Sequence, residues 1–225
     1  KPFHGKTVRA IKVHADMSKG FHEKLLKFAQ SIGMGGLGYL EVMEDKSYKG
    51  PIDKFIPDDM KEEIRETAGL EVGDTIFFIA DNEKNAALYA GQIRTALGER
   101  LDLIEKNSFK FCYINDFPMY EYDKETKKME FTHNPFSMPQ GGLEALETMD
   151  PEEILAYQYD IVCNGVELSS GAVRNHDMKI MVKAFEIAGY TEEDLKEKFG
   201  ALYNAFQFGA PPHAGMAPGV DRMIM

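Results

Sequence analysis

The hydrophobic positions of residues 1–104 change spacing repeatedly, from the period of a strand to that of a helix. Residues 7–13 carry apolar side chains at strand-like spacing, and Ser18 then stands where it can cap a helix. Apolar residues recur through that helix every three or four positions, so one stripe of it is predicted to be buried. The members of this stripe are Phe21, Leu25, Phe28, Ala29 and Ile32.

The rest of this half repeats the alternation. A strand is predicted at 39–43, and Asp58 is predicted to cap a short helix that runs through Thr67. The continuous apolar run at 75–80 is typical of a central strand, and 83–98 is predicted to be an amphipathic helix. This β-α-β-α-β-α order predicts a compact α+β or α/β domain. The last helix is expected to bury Ala87, Ile93 and Leu97.

Residues 105–225 begin with the pattern of antiparallel strands. The run 109–116 has the composition of a strand, and 117–132 is predicted to fold back on itself around a charged turn. Residues 133–139 form a loop that contains two prolines. The acidic, glycine-containing residues 141–153 are predicted to be a mobile surface segment.

A second hairpin and two helices follow. Residues 157–163 and 166–168 are predicted to pair, because Asn164-Gly165 between them is a strong signal for a tight turn. A helix is predicted at 178–188, and Thr191 is predicted to begin another, since acidic residues fill the first turn after it. The second helix is expected to pack on the core through Leu195, Phe199, Leu202, Tyr203 and Phe206.

Two acidic residues of the second hairpin are candidates for a metal site. A turn at Asn164-Gly165 would place Asp160 and Glu167 on neighbouring strands, near enough to share a cation, and carboxylate oxygens suit Mg²⁺. Spacing alone favours the simpler interpretation, two surface acids on a hairpin. Arg174 follows a run of small residues, so it either reaches into a pocket or lies on the surface as an unspecialised cation.

Residues 208–225 combine glycines and prolines with one arginine. Small residues let a ligand approach the backbone, and the guanidinium of Arg222 offers a rigid fork of donors that suits a polyphosphate. Asp221-Arg222 is predicted to open an apolar helix. A Gly/Pro-rich turn before a buried helix is the alternative interpretation of the same residues.

Charge and hydropathy exclude some classes of protein for this chain. The net charge is −11, and residues 105–225 hold 20 acidic against 11 basic side chains. General affinity for nucleic acid is therefore excluded, although a local basic face is not. No apolar run approaches the roughly 20 residues of a membrane span.

Cys112 and Cys163 are predicted to be reduced core cysteines of a cytoplasmic protein, and His14 and His22 to be surface residues. The start without Met and the end in an apolar run predict a piece of a longer protein.

Three runs of the second half resemble one family. Residues 209–222 read Gly-x-Pro-Pro-His-x-Gly-x-x-x-Gly-Val-Asp-Arg, and 159–174 read Tyr-Asp-Ile-Val-x-Asn-Gly-Val-Glu-Leu-x-x-Gly-x-Val-Arg. The first resembles motif 3 of the class II aminoacyl-tRNA synthetases, in the aspartate-specific subgroup, and the second resembles the substrate-binding segment of that subgroup. The third run begins at His133 and is similar to the His-His-Pro-Phe-Thr/Ser-x-Pro loop of the same subgroup, with Asn134 in place of the second histidine. In the run 159–174, Ser169-Ser170 stand in place of two glycines of the family pattern.

The resemblance assigns expected roles to residues of this chain. Asp160 and Glu167 would hold Mg²⁺ and ATP, and Arg222 would stack near adenine and contact the γ-phosphate, with Glu167 and Arg222 as the catalytic pair. Arg174 would pair with the side-chain carboxylate of L-aspartate, and His133 would help to hold that substrate. The backbone next to Arg222 would complete the ATP site through Gly219, Val220 and Asp221.

The first half resembles the GAD domain, which is inserted in bacterial-type aspartyl-tRNA synthetases. The resemblance rests on runs such as Gly50-Pro51-Ile52 and Gly73-Asp74 with the apolar strand after it, and it covers nearly all of residues 5–100. It implies an α+β protein. A GAD-like α/β insertion domain at 1–104 would precede part of the antiparallel-sheet catalytic domain at 105–225, through motif 3.

The function implied is that of an aspartate–tRNA ligase, which uses ATP and Mg²⁺ to activate L-aspartate and transfers it to tRNA(Asp). Whether tRNA(Asn) is also charged is left open, and the parent is expected to be a cytoplasmic homodimer. No arginine of the chain stands in the Phe/Tyr-Arg-x-Glu/Asp setting of motif 2, and motif 1 is missing, so the chain alone is expected to be inactive. Two alternatives are a non-catalytic tRNA- or protein-binding insertion module and an asparaginyl- or lysyl-type enzyme. The GAD-like half and Arg174 disfavour the latter.

Overall fold

A computed structural model describes residues 3–224, which divide into two compact units at the boundary between Lys106 and Asn107. Lys1, Pro2 and Met225, at the two ends where the sequence predicts truncation, lie outside the described residues. Both units combine helices with antiparallel sheets, which confirms the predicted α+β class.

The first unit alternates strands and helices, and its four strands form one antiparallel sheet in the order β1-β4-β2-β3. The two long helices cover one face of this sheet. In chain order the elements are β1 (Thr7–His14), α1 (Lys19–Ser31), β2 (Gly38–Val42), β3 (Tyr48–Lys49), a 3₁₀ turn (Asp53–Phe55), α2 (Asp58–Ala68), β4 (Asp74–Asp81) and α3 (Glu83–Arg100).

The apolar stripes predicted from spacing meet in the core of this unit. Ser18 caps α1 by accepting a hydrogen bond from the Phe21 amide at 3.2 Å, which confirms that prediction. Leu25 of α1, Phe77 of β4 and Ile93 of α3 are buried together in one hydrophobic cluster. A second cluster on the other face of β4 is built around Ile76.

Three predictions for this unit are wrong. Asp58 is the first residue of α2 and not its cap, because Pro57 holds the cap position. Ala87 is exposed and its neighbour Ala86 is buried in its place, whereas Ile93 and Leu97 are buried as predicted. His22 is buried rather than at the surface; its ring stacks on Tyr39 with centroids 4.0 Å apart, and its Nε2 lies 2.7 Å from Glu41 Oε1. His14 is exposed, as predicted.

The second unit is built on a four-stranded antiparallel sheet in the order β10-β9-β8-β5, with a separate hairpin of β6 and β7. Helices follow the hairpins. The elements are β5 (Phe111–Pro118), β6 (Tyr120–Asp123), β7 (Lys128–Phe131), α4 (Gly142–Thr148), a 3₁₀ turn (Pro151–Glu153), β8 (Leu155–Cys163), β9 (Val166–Val173), α5 (Met178–Ile187), α6 (Glu192–Gln207), β10 (Ala214–Pro218) and α7 (Val220–Ile224).

The start of α6 confirms the helix predicted after Thr191. The Thr191 side chain accepts from the Asp194 amide, and the Asp194 carboxylate accepts from the Thr191 amide at 2.8 Å, so the two residues form a capping box. Leu195 and Tyr203 are buried against α5 as predicted. Phe199 stands at a non-helical kink in α6 and remains 36% exposed.

Three further expectations differ from the structure. The sequence predicts a mobile surface segment at 141–153, but α4 carries Ala145 and Leu146 into the core, since this short helix is amphipathic. Cys112 is exposed, as are nearly all side chains of β5, whereas Cys163 is buried, and both are free thiols. The Gly/Pro-rich run around residue 214 is a strand, β10, rather than a turn. Within residues 3–224, none of the helices is long and apolar enough to cross a membrane.

Candidate functional site

The hairpin of β8 and β9 closes at the predicted turn. Asn164 and Gly165 have φ values of 50° and 82°, the left-handed values that a tight two-residue hairpin turn needs. The Asn164 side chain also ties the turn to the start of β5, because its Oδ1 accepts from the Lys110 amide at 2.9 Å. This confirms that Asp160 and Glu167 lie on neighbouring strands.

A β-bulge interrupts the pairing just after the turn. Val162 pairs with Glu167 and Ile161 with Ser169, so Leu168 is an extra residue on β9. Paired residues of an antiparallel ladder point to the same face, and residues two apart on one strand do so too. Asp160 and Val162 share a face, and Glu167 opposite Val162 therefore faces the same side as Asp160.

The same bulge decides where Arg174 points. Glu167 and Arg174 are seven positions apart, an odd number, which in a regular strand would place them on opposite faces. The extra residue at Leu168 reverses the alternation downstream of it, so Ser170, Ala172 and then Arg174 follow the face of Asp160. One sheet face thus receives both acids and the arginine.

These side chains line one cavity of about 290 Å³ in the second unit. His133, Asp160, Glu167 and Arg174, four of the residues singled out in the sequence, all border it. Its other walls come from β5, β8, β9, β10 and the loop after β7. They are Phe117, Asn134, Gln158, Ser170, Gly171 and Ala217.

The electrostatics of the cavity centre on Asp160. Burial raises the pKa of the Asp160 carboxyl, the negative charge of Glu167 raises it further, and His133 acts in the opposite direction. Two carboxylates that repel one another in one cavity suit an oxygen-preferring cation such as Mg²⁺. Among residues 3–224, no group of three or more His, Cys, Asp or Glu is arranged to hold a metal. A cation here would therefore depend on ligands from its substrate or from water.

Arg174 is held by its main chain and not by an acid. Its amide donates to the His213 carbonyl at 2.9 Å, and it forms an isolated β-bridge with Ser137. A Cβ at Gly215 would lie 3.6 Å from Arg174 Nη2, so the guanidinium lies directly over the backbone of β10. In the described part of the chain, no carboxylate comes within ion-pair distance of this guanidinium, which leaves its fork of donors to a ligand.

His133 enters the cavity from the loop that follows β7. Its ring meets the edge of Phe117 with centroids 5.0 Å apart. The next residue stabilises the turn, because Asn134 Oδ1 accepts from the Phe136 amide at 2.9 Å. Asn134, where the resembling loop has a second histidine, therefore has a structural contact of its own.

The glycine-containing run 209–222 approaches the cavity from β10. The Gly219 amide donates to the Leu168 carbonyl at 2.8 Å, which joins the start of α7 to the bulge. Arg222 Nη1 donates to the Glu167 main-chain carbonyl at 2.7 Å and to Glu167 Oε1 at 3.3 Å. Gly219, Val220, Asp221 and Arg222 do not border the 290 Å³ cavity. Val220, Met223 and Ile224 are more than half exposed, so α7 is not the buried helix of the alternative interpretation.

Two residues of the cavity region were not singled out from the sequence. Gln158 borders the cavity, and its Nε2 donates to Ser137 Oγ at 2.9 Å. The available signal was alternation, because Gln158 stands two positions before Asp160 on the same strand and must share its face. The signal for Ser137 was its match to the Thr/Ser position of the resembling loop that begins at His133.

Comparison with known proteins gives matches along nearly the whole chain. The family described as tRNA synthetases class II (D, K and N) matches residues 6–225. Two aspartate–tRNA(Asp/Asn) ligases are similar in sequence: that of Ehrlichia ruminantium (strain Gardel) is 54% identical over 223 residues, and that of Rickettsia akari (strain Hartford) is 53% identical over 227. Each alignment covers 98% of this chain and 38% of the relative.

The chain therefore spans well under half the length of these curated relatives. Among solved structures, an aspartyl-tRNA synthetase from Entamoeba histolytica aligns with 73% of this chain and 26% of its own, at 21% identity and a TM-score of 0.38. A TM-score that low carries no weight for the fold of this chain.

Proposed function

The chain belongs to the family of class II tRNA synthetases (D, K and N), and from this premise we propose that it is part of an aspartate–tRNA ligase. In this proposal the second unit holds L-aspartate and one side of the ATP site. The reaction joins the α-carboxylate of aspartate to the α-phosphate of ATP with release of pyrophosphate, and the aspartyl group then passes to the 3′ end of a tRNA.

The observation that carries the proposal is the guanidinium of Arg174, which has no carboxylate partner among residues 3–224 and lies in a cavity that holds Asp160 and Glu167. The donors of this guanidinium are not taken up by either acid, and the side-chain carboxylate of L-aspartate can accept from them as a bidentate pair. A bidentate guanidinium pair also separates a carboxylate from an amide, which disfavours asparagine as the substrate. We assign His133, across the cavity, to the same substrate.

ATP and Mg²⁺ belong on the side of the cavity next to Arg222. Asp160 and Glu167 supply the oxygen donors that Mg²⁺ prefers, and the mutual repulsion that helps to raise the pKa of Asp160 is what a bound cation would relieve. When bound, Mg²⁺ would neutralise phosphate charge. Arg222 orients the nucleotide, supported by the backbone of Gly219, Val220 and Asp221, and the work of these residues is positioning and charge stabilisation.

A binding experiment on the chain itself tests the substrate assignment. We expect isothermal titration with L-aspartate to show binding, and titration with L-asparagine, which has the same size but no second carboxylate, to show at least tenfold weaker affinity. Arg174→Leu should remove this difference between the two amino acids, and Arg94→Leu, which removes an exposed arginine of the first unit, should leave it unchanged. Equal affinity for the two amino acids would remove the basis for an aspartate-specific site.

Catalysis needs residues that the chain does not contain. No arginine of the sequence stands in the motif 2 setting that grips the α-phosphate, so we propose that the 225-residue chain alone does not activate aspartate. Aspartate-dependent ATP–pyrophosphate exchange should be absent with this chain and present with the full-length ligase. Clear turnover by the chain would contradict this part of the proposal.

The partners of the full-length protein are part of the proposal. The relatives carry the name aspartate–tRNA(Asp/Asn) ligase, so we propose tRNA(Asp) as a substrate and leave tRNA(Asn) to be decided by aminoacylation of both purified tRNAs. We also propose that the full-length ligase is a homodimer, which sedimentation equilibrium would test. The first unit is proposed to be the GAD-like insertion domain, and its removal from the full-length enzyme should leave ATP–pyrophosphate exchange intact.

A further inference from the structure

Gln158 connects the floor of the cavity to the loop that carries His133. Its side chain is 8% exposed, and Nε2 donates to Ser137 Oγ at 2.9 Å and to the Asn134 carbonyl at 3.3 Å. A main-chain carbonyl can only accept, so it fixes which end of the amide faces the loop. Both amide hydrogens are therefore directed to the two ends of one tight turn.

That turn is the segment from Asn134 to Ser137. The Ser137 amide donates back to the Asn134 carbonyl at 3.2 Å, and the Asn134 side chain accepts from the Phe136 amide. The Asn134 carbonyl thus accepts from both Ser137 and Gln158. Ser137 is fully buried, so the hydrogen bond from Gln158 to its hydroxyl is shielded from water.

Beyond Ser137 the loop is tied to the sheet by its backbone. Ser137 bridges to Arg174, and the Met138 amide donates to the Val173 carbonyl at 2.9 Å. These contacts fix the far end of the loop next to Arg174. The near end, which carries His133, is held to the sheet floor by the Gln158 side chain through Asn134.

From this geometry we infer that Gln158 is a positioning residue for the amino-acid substrate. It acts through Asn134 and Ser137, by keeping His133 at a fixed distance from Asp160 and Arg174. The inference rests on the proposed function, because it concerns the same cavity. It goes beyond that function in naming a side chain that the sequence resemblance does not single out, and in linking it to Asn134, where this chain departs from the resembling loop.

The loop contact can be tested on the chain alone. Gln158→Met keeps the length of the side chain and removes both donors. We expect amide hydrogen exchange at Phe136 and Ser137 to accelerate about tenfold, while exchange in the β6–β7 hairpin stays unchanged. Gln140→Met is the matched control, because Gln140 Nε2 donates to Asp116 at 2.6 Å and Gln140 does not border the cavity.

The effect on the substrate separates positioning from general stability. In the full-length ligase, Gln158→Met should raise KM for L-aspartate about tenfold, with kcat and KM for ATP within twofold of the wild type. Ser137→Ala should raise KM for L-aspartate less, because the contact with Asn134 remains, and it should add little to Gln158→Met. Gln140→Met should leave all three constants unchanged.

The outcomes distinguish the inference from the function it rests on. Unchanged KM for L-aspartate in Gln158→Met, or equal increases in KM for aspartate and for ATP, would overturn the inference and leave the ligase assignment standing. If the wild-type ligase shows no aspartate-dependent exchange, the proposed function fails and the inference fails with it. Accelerated loop exchange together with a selective loss of aspartate affinity supports both.

Discussion

One guanidinium nitrogen of Arg222 donates to both the backbone and the side chain of Glu167. Arg222 Nη1 donates to the Glu167 main-chain carbonyl at 2.7 Å and to the Glu167 carboxylate at 3.3 Å. The shorter contact is to the backbone, so the side chain of Glu167 is not needed to place the arginine. The carboxylate can turn toward a cation while Arg222 keeps its hydrogen bond to the backbone of β9.

This relationship predicts different effects for the two residues on ATP binding. Arg222→Lys should lower the affinity for ATP about tenfold with or without Mg²⁺, because lysine lacks the planar fork of donors. Glu167→Gln should lower the affinity for ATP only when Mg²⁺ is present, since the hydrogen bond from Arg222 to the backbone remains. Titrations of the full-length ligase in Mg²⁺ and in EDTA measure both effects. Equal loss without Mg²⁺ in the two variants would show that the carboxylate does place the arginine.

Removal of the cavity arginine should affect one substrate much more than the other. Arg174→Leu removes the guanidinium proposed to pair with the side-chain carboxylate of L-aspartate, so kcat/KM for L-aspartate should fall roughly 10³-fold, while KM for ATP changes less than threefold. Steady-state exchange kinetics of the full-length ligase measure this. Similar losses for both substrates would assign Arg174 to the nucleotide or to folding.

Gly171 is a position where β9 has no room for a side chain. A Cβ there would lie 2.4 Å from Tyr159 Cε2 and 2.6 Å from the Gly215 carbonyl oxygen, so Gly171→Ala must displace β10 or the Tyr159 ring. We expect a loss of about 2–3 kcal/mol in the free energy of unfolding, measured by urea denaturation.

Gly91 provides the control for Gly171, and its replacement by alanine should change the free energy of unfolding in the opposite direction. Gly91 lies within α3, and a Cβ there would meet no atom within 4 Å. Gly91→Ala should therefore stabilise the chain by about 0.5–1 kcal/mol. If the two alanine variants had the same stability, the packing between β9 and β10 would be looser than the structure has it.

The capping box of α6 predicts a pH-dependent contribution to stability. Hydrogen bonds from the Thr191 side chain and amide lower the pKa of Asp194, so the contact stabilises the fold above the ordinary pKa of an aspartate and is lost as pH falls through the lowered value. Thr191→Ala should lower the melting temperature at pH 7, and the difference from wild type should shrink at pH 3. Thermal unfolding at the two pH values checks this, and a constant difference would contradict it.

The two cysteines should differ sharply in reactivity. Cys112 is exposed on the edge strand β5 and Cys163 is buried, so Ellman's reagent should modify one thiol quickly in the native chain and two in denaturant. Cys112→Ser should abolish the fast phase, and Cys163→Ser should leave it. Two fast thiols in the native wild type would mean that β8 is not protected.

Local signals predicted the elements that position the site. Asn164-Gly165 is sufficient to predict the β8–β9 hairpin, and Thr191 with the acids after it is sufficient to predict the start of α6, because both are interactions between near neighbours. The bulge at Leu168 was not predicted. It depends on the partner strand and on the Gly219 amide that donates to the Leu168 carbonyl, a contact 51 positions away in the sequence.

Composition and local spacing predict the wrong burial where burial depends on contacts with residues distant in the sequence. Residues 141–153 are acidic, but Ala145 and Leu146 suffice to bury one side of α4. Cys112 lies in a run that resembles a core strand, yet β5 is an edge strand whose side chains are largely exposed. His22 is buried because Glu41 and Tyr39 supply a partner and a stacking surface. None of these contacts is visible in the local spacing.

The extra residue at Leu168 makes the length of this hairpin matter more than its composition. Insertion or deletion of one residue between Glu167 and Arg174 would turn one of the two charges to the other face of the sheet, whereas many substitutions in the same segment would leave both in place. The segment should therefore tolerate chemical change and resist change in length. In libraries of variants, single-residue indels at 168–173 should be lost, whereas many point substitutions at the exposed positions of this segment should survive.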